Sequence, residues 1–553
     1  MTFNKTQSQV SRNAIERIYI NMRHLFIRGS YKPTGVSGSS LMSSLLTLKP
    51  EIYGVIDHPE KVELEGMLYI LERLPDGIEE CRFVKLTARE GIEEAGHEVI
   101  VPSKRRRNCY RIDDDRMYVE MTRGRSDIYD ILTHLTFLYN EAEKIKNHCI
   151  DPKGNFTDDW KRLEEIVLKE EEGEDFDESK AMIYLSNVLG RTVNEVKESI
   201  EKFKASKVRN SLYRIAYWLG KRSINDQELE EDREISFSAM LREIIGQHIY
   251  GEQWASRIKD LLVKEGMIER PIHVISANLH SFVNIIYGFN IGQEFKDVLD
   301  LANATSAEGS KELNEKIRKH ALQNGMYELP DSSGTNLTVQ VFDFAKIDAT
   351  NHPLNLVSDK GEMPVLIVMD YAFGEQAYEC MEELLKPFGE EDKMYQDIRS
   401  ITIMGKAGIL EGDKGDLMIP TAHVFEGTAD NYPFDNLLRK EDFEGKGLGV
   451  YEGTMITVLG TSLQNRDVLN HFLTSTWNAV GLEMEGAHYQ KAIQSAARIR
   501  RSISNDVKVL YAYYASDNPL KTGKTLASGS LGAEGVKPTY LISEKVLEKI
   551  FKI

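Results

Sequence analysis

Between Gln7 and Leu48 the apolar residues Ile15, Ile18, Ile20, Met22, Leu25 and Phe26 recur at broadly helical intervals, and the Gly-Ser-rich stretch GVSGSS at 35–40 interrupts them. This predicts a helix followed by a loop. Strand-like runs follow at Glu98–Val101 and Met117–Met121, and Asp127–Asn147 then carries apolar positions at 128, 131, 132, 135, 137 and 138, so residues 1–150 read as an α+β region. Helical periodicity dominates 158–268 and surrounds the acidic run Glu170–Glu178, read as an exposed loop or a solvated helix end. After Ile268 the pattern changes to short β-rich runs separated by helical stretches: Ile272–Ser276, Leu337–Phe342, Val365–Met369, Ile401–Met404, Met455–Leu459 and Val509–Tyr514. Such alternation predicts an α/β sheet with helices on both faces. The chain therefore divides into 1–150, a mainly helical 151–268, and 269–553.

Composition narrows the classes. With 41% hydrophobic and 28% charged residues the chain is a globular protein, and its length suits two or three domains. No segment approaches the ~18 consecutive apolar residues of a membrane span, and the polar start MTFNKTQSQ lacks a secretory pattern, so a cytoplasmic location is expected. A net charge of −18 argues against general nucleic-acid binding, which needs a basic surface. The basic run Lys104–Arg107 reads as a solvated loop, with an anion site as the alternative. Cys81, Cys109, Cys149 and Cys380 are widely separated and show no metal-ligand spacing, so neither disulfides nor a metal centre is expected.

In open α/β sheets ligands lie beyond the carboxyl ends of strands, and three such junctions carry reactive residues. ITIMGKAG at 401–408 leads from a strand into Gly405, Lys406, Ala407 and Gly408. Small residues there let backbone amides approach a ligand, although a strand ending in a tight turn has the same appearance. GLEMEGA at 481–487 places Glu483 and Glu485 on either side of Met484. In a strand the two acids share one side and the methionine takes the other. A carboxylate suits a ribose diol and methionine a sugar or base face, whereas at a helix start the same acids would favour the dipole. VLYAYYASDNPL at 509–520 ends a β-prone run in Ser516, Asp517 and a proline turn. An acid at that strand end can protonate N7 of a purine, or Asp517 simply opens the turn.

Taken together and in this order, the three segments resemble the nucleoside phosphorylase and nucleosidase superfamily. GLEMEGAHYQKA resembles its ribose-binding EMEGAA segment, YASDNPL its SD segment, and MGKAGIL…GDLMIP its TG-AGG…GD-V-P segment. SDNPLKTGK is most similar to the corresponding stretch of AMP nucleosidase, also a long protein with an extra N-terminal domain. The resemblance covers roughly residues 270–553. It implies a nucleoside phosphorylase-like αβα domain with a mixed sheet, preceded here by the helix-rich α+β region. It also implies that Glu485 accepts from ribose hydroxyls, that Met484 covers the sugar, and that Asp517 is the general acid. Leu463 and Gln464, in GTSLQ at 460–464, would contact the purine, and Asp370–Ala377 resembles the family's G-G---A turn. Ile409 in place of a glycine, Lys406 in place of a small or polar residue, and an extended link around 498–504 depart from the pattern.

Phosphorolysis needs cations for free phosphate near the first strand and the glycine turn, and no arginine directly follows Ile272–Ser276 or Val365–Met369. Water is thus the expected nucleophile. Asn278 and His280 are candidates to hold that water or a 5′-phosphate, against the reading that both are satisfied at a loop start; Lys406 is the stronger anion candidate. The expected function is hydrolysis of the N-glycosidic bond of AMP or a related purine nucleoside or nucleotide, without metal or organic cofactor, by a homo-oligomer. Purine phosphorolysis and a non-catalytic nucleotide-binding regulator are the alternatives.

Overall fold

The computed structural model describes residues 6–350, 352–358, 360–389, 394–428, 430–522 and 532–553. The chain forms two compact units. The first comprises Met1–Thr122, Asp127–Gln247 and Ser462–Val468, and the second Arg123–Ser126, His248–Thr461 and Leu469–Ile553. Residues 1–122 and the helices up to 247 thus cluster together, while the helix Ile249–Lys264 belongs with the C-terminal half.

In the first unit the helix Gln7–Arg28 opens on a Thr6/Gln9 capping box and buries Ile15, Ile18, Met22, Leu25 and Phe26; Ile20 faces out. The loop expected at 35–40 is instead the start of a helix, Val36–Leu48. Its small residues serve packing: a Cβ on Gly38 would stand 2.2 Å from the Pro33 carbonyl oxygen, so only glycine lets this turn approach. Six strands, β1 (Ser30–Tyr31), β2 (Phe83–Thr87), β3 (Val99–Ile100), β4 (Cys109–Arg111), β5 (Arg116–Glu120) and β6 (Glu234–Phe237), pair in the order β1-β6-β2-β5-β4-β3. The acidic run is the end of the helix Asp158–Glu172, the Gly173 cap and the Asp177 cap of the next helix.

The basic run is not simply a solvated loop. Lys104 and Arg106 are exposed, but Arg107 is buried and donates to Asp127 Oδ1 at 2.9 Å and Asp130 Oδ2 at 2.5 Å, and Arg105 grips Asp130 with two bonds of 2.8 and 2.7 Å. Spacing alone cannot reveal this, because the acids lie some twenty residues on. All four cysteines are buried and free.

The second unit is an αβα sandwich around a mixed sheet of ten strands: β7 (Ile272–Ser276), β8 (Met326–Leu329), β9 (Val339–Asp343), β10 (Val365–Met369), β11 (Ile398–Ile409), β12 (Leu417–Phe425), β13 (Asn431–Pro433), β14 (Val450–Thr457), β15 (Ala479–Glu483) and β16 (Lys508–Asp517). The order is β13-β12-β14-β15-β11-β7-β10-β9-β8, with β16 pairing both β11 and β12. The ladder β11-β16-β12-β14-β15 therefore closes on itself. Alternation sends side chains to two cores. Ile272, Val274, Val365, Ile367 and Met369 pack under the helices Ile249–Lys264, Gln376–Leu384 and Gly486–Gln494. Ile275, Leu366 and Val368 pack under Leu279–Gly288, Val298–Ser306, Lys311–Gln323 and Val536–Ile550. Burial of both faces explains why these strands read as continuous apolar runs. No helix among the described residues is long and apolar enough to cross a membrane.

Arg107→Ala should lower the stability of the folded chain by ~3–5 kcal/mol, because it strands the buried Asp127 carboxylate and leaves Asp130 with Arg105 alone of the two arginines. The urea midpoint would move down with little change in slope, and an unchanged midpoint would contradict the network.

Candidate functional site

A strand has only two edges, and β11 uses them unequally. Ser400 and Ile401 pair with both β7 and β16, and Gly408 pairs with both β15 and β16. β16 therefore fills one edge, while β7 and β15 share the other. On that shared edge β7 pairs as far as Ile403 and β15 begins at Gly408, so Met404–Ala407 carries no strand partner. Gly405–Gly408 is thus strand interior rather than the turn expected after Met404. One edge is engaged by β16 and the other opens a gap in the sheet. Such an interruption at strand carboxyl ends is where α/β sheets place ligands. β15 is antiparallel to β11, so the chain leaving Glu483 runs along this gap toward the carboxyl end of β7, where Ser276 Oγ lies 3.0 Å from Tyr489 Oη.

The acids of GLEMEG do not share one strand face, because β15 ends at Glu483 and Glu485 (φ −123°, ψ −25°) begins the helix Gly486–Gln494. Glu483 is a helix cap. Its Oε2 accepts from the backbone N–H groups of Glu485 and, at 2.5 Å, of Gly486, and its Oε1 from Thr457 Oγ1 at 2.5 Å; Ala487 N–H donates to Thr457 in turn. Burial, then the charge of Glu485, pushes Glu483 up to about 8. Glu485 is only half-buried, and its Oε1 accepts from Gly374 N–H at 2.9 Å and its Oε2 from Met484 N–H at 3.3 Å. Burial raises Glu485 to about 7, opposed by those two N–H groups and by the charges of Arg123 and Lys406. Met484 is buried, with Cε 3.8 Å from where a Cβ of Gly374 would stand.

Gly374 lies in the turn between β10 and the helix Gln376–Leu384. Its φ of +55° favours glycine, and a Cβ there would strike Ser126 at 2.4 Å. Ser126 Oγ accepts from Glu375 N–H at 2.8 Å, Arg125 Nη1 donates to Glu375 Oε1 at 2.9 Å, and the Arg123 guanidinium carbon lies 4.5 Å from the centre of the Phe373 ring. Arginine at the glycine turn thus comes from position 123 rather than from the residues after β10. Sequence reasoning missed it, and the only available signal was the TRGRS stretch at 122–126 itself.

Asp517 ends β16 and is buried. Ser516 Oγ donates to its Oδ1 at 2.7 Å, while Oδ2 has no hydrogen-bond partner among the described residues. Burial raises its carboxyl, against the Ser516 bond and the charges of Lys406 and Lys414. Ser516 Oγ also lies 3.1 Å from the Ala407 carbonyl oxygen, the second acceptor within reach of its single proton. Asn518, not Asp517, anchors the following turn: its Nδ2 donates to Gly412 O at 2.9 Å and its Oδ1 accepts from Leu520 N–H at 3.0 Å. Lys406 is exposed, and its charge reaches both Glu485 and Asp517.

The remaining candidates separate. Asn278 Oδ1 caps the helix Leu279–Gly288 through His280 N–H at 2.9 Å and Ser281 N–H at 3.3 Å, and His280 is exposed. Leu463 and Gln464 lie in the segment grouped with the first unit, where Glu51 N–H donates to the Gln464 carbonyl at 2.9 Å. Gly523 and Lys524 of SDNPLKTGK lie outside the described residues. No cluster of metal-ligating residues occurs among the described ones.

The family model described as "Family of unknown function (DUF6909)" matches residues 39–320 and 304–552. No curated protein matches the chain. Among solved structures, Campylobacter jejuni 5′-methylthioadenosine/S-adenosyl homocysteine nucleosidase aligns with a TM-score of 0.32 and 12% identity, over 51% of this chain and 100% of that one. A futalosine hydrolase mutant of Helicobacter pylori strain 26695 gives 0.31 and 12%, over 51% and 98%. The Helicobacter pylori nucleosidase MTAN gives 0.29 and 13%, over 50% and 98%.

The different bonding of the two glutamates is testable. Glu483→Ala should cost ~1–3 kcal/mol, since it leaves buried N–H groups unmet, whereas Glu485→Gln should change stability by less than ~0.5 kcal/mol. Thermal melts at neutral pH measure both, and equal losses would contradict the division of roles.

Proposed function

The chain belongs to the DUF6909 family of unknown function, and from that premise we propose that it hydrolyses the N-glycosidic bond of a purine nucleoside or nucleotide, AMP being the favoured substrate. One observation carries the reading: Asp517, whose buried Oδ2 has no hydrogen-bond partner among the described residues, ends β16, and Glu485 follows the end of β15, the two strands that meet Gly408 of β11 from opposite edges, with Lys406 in electrostatic reach of both.

In this reading protonated Asp517 delivers its proton to N7 of the purine. The electron pair of the C1′–N9 bond passes to the base as that bond breaks, and the sugar acquires oxocarbenium character. Water adds to C1′ and loses a proton, giving free base and ribose or its 5′-phosphate. Glu485, as a carboxylate, accepts from a ribose hydroxyl and stabilises the cationic sugar, while Met484 covers the sugar face. Lys406 pairs with a 5′-phosphate. The resemblance further suggests a homo-oligomer.

Phosphorolysis is a second reading with an observation of its own. Arg123 brings to the glycine turn a cation of the kind that free phosphate requires.

Purified protein incubated with AMP and adenosine, with and without phosphate, should release adenine. Mass spectrometry of the sugar product separates hydrolysis from phosphorolysis, and no base release from any purine nucleoside or nucleotide would refute both. Asp517→Asn should reduce release ~10²-fold or more with the fold intact. Lys406→Ala should impair AMP far more than adenosine, and equal losses would remove it from the phosphate site. Activity should follow a bell-shaped pH profile, because Glu485 must have lost its proton while Asp517 still holds the one it delivers, and a pH-independent rate would contradict this pairing.

A further inference from the structure

The Arg123–Ser126 segment has no counterpart in the resemblance, which begins near residue 270, yet it clusters with the C-terminal unit. Three contacts tie it to the glycine turn. Ser126 Oγ accepts from Glu375 N–H at 2.8 Å, Arg125 pairs with Glu375 at 2.9 Å, and Arg123 covers the ring of Phe373. Gly374, the residue between Phe373 and Glu375, gives its N–H to Glu485 Oε1 at 2.9 Å. Gly124 (φ +73°) brings the segment close to the helix that follows: a Cβ on it would lie 3.0 Å from Glu379 Oε1 and 3.3 Å from Gln376 N. The segment thus meets the turn on both sides of Gly374, the turn residue that binds Glu485.

We propose that Arg123 and Ser126 are positioning residues of the site: Ser126 holds the turn that presents the Gly374 N–H to Glu485, and Arg123, lying over Phe373 of the same turn, directs its positive charge toward the carboxylate that accepts from the sugar. This rests on the sugar role of Glu485 proposed above. It makes the C-terminal half depend on a segment supplied by the N-terminal half of the sequence. Glu485 is faced by the acidic Glu483 from β15, by Tyr489 from its own helix and by Tyr513 from β16. Arg123 and Lys406 oppose its protonation, and only Arg123 also belongs to the group of contacts around the turn that binds it.

The test uses the full chain and two readouts. In one, kcat/KM for purine release is followed against pH. In the other, the Glu485 carboxyl is titrated directly by ¹³C NMR of glutamate-labelled protein, its resonance assigned by its absence in Glu485→Gln. In the native chain both should show a midpoint at about 7. Arg123→Gln should move both upward by ~1 unit, since removing a nearby opposite charge favours the protonated acid, and Arg123→Lys should return most of the shift. Ser126→Ala should move them in the same direction, because a loosened turn weakens the Gly374 bond. Unmoved midpoints in Arg123→Gln and Ser126→Ala would overturn the proposal, as would an Arg123→Lys variant no better than Arg123→Gln. An Arg123→Gln effect confined to the dependence on phosphate concentration would make Arg123 a phosphate ligand and overturn it too. If the native chain releases no base, the glycosidase reading fails while the carboxyl titration still decides whether Arg123 and Ser126 control Glu485.

Discussion

Each edge of a strand can be filled once, and the passage of β11 from β7 to β15 along one edge organises everything chemical in the second unit. Four residues, Met404–Ala407, are left without a strand partner between the two ladders. Around that interval the carboxyl ends of β7 and β15 converge, with β16 along the opposite edge of β11 bringing Asp517 level with Gly408. Because β11, β16, β12, β14 and β15 close on themselves, β15 cannot slide into the interval without breaking the ring.

Within this frame, two glutamates two residues apart acquire opposite tasks. Glu483 ends a strand immediately before a helix, where unpaired N–H groups need an acceptor, and its carboxyl is consumed by Gly486, Glu485 and Thr457. Glu485 stands at the first position where the chain has turned, receives one N–H from the glycine turn and one from Met484, and remains half-exposed. The bland reading of a helix-start acid therefore holds for Glu483, while Glu485 stays available for a ligand. The same accounting commits the Asn278 side-chain carbonyl oxygen to capping the helix Leu279–Gly288.

Burial gives the site its electrostatic character. Glu485, Glu483 and Asp517 are all raised by loss of solvent, and Arg123 and Lys406 oppose that for Glu485, as Lys406 does for Asp517. Their hydrogen bonds differ where their shifts do not: Glu485 receives the N–H groups of Gly374 and Met484, whereas Asp517 Oδ2 receives none among the described residues.

By itself the sequence determined what depends on neighbours in the chain. Val365–Met369 and Ile272–Ser276 coincide with strands because short runs buried on both faces must be apolar throughout. The helix at Gln7–Arg28 follows from its spacing and its cap. The candidates Glu485, Met484 and Asp517 were read from a resemblance that keeps residue types at fixed offsets, and Lys406 from its place beside a glycine. Other outcomes depended on residues distant in the chain, and only the tertiary structure decided them. MGKAGI continues as strand because β16 and β15 supply hydrogen-bond partners that glycines alone do not advertise. GVSGSS enters a helix at Val36, and within it Gly38 approaches the Pro33 carbonyl more closely than any larger residue could. Arg107 is buried because Asp127 and Asp130 await it. The arginine at the glycine turn arrives from position 123, some 250 residues before the turn it covers. Local pattern reports which backbone a segment prefers; which charge meets which carboxylate is set by long-range packing, to which no local period corresponds.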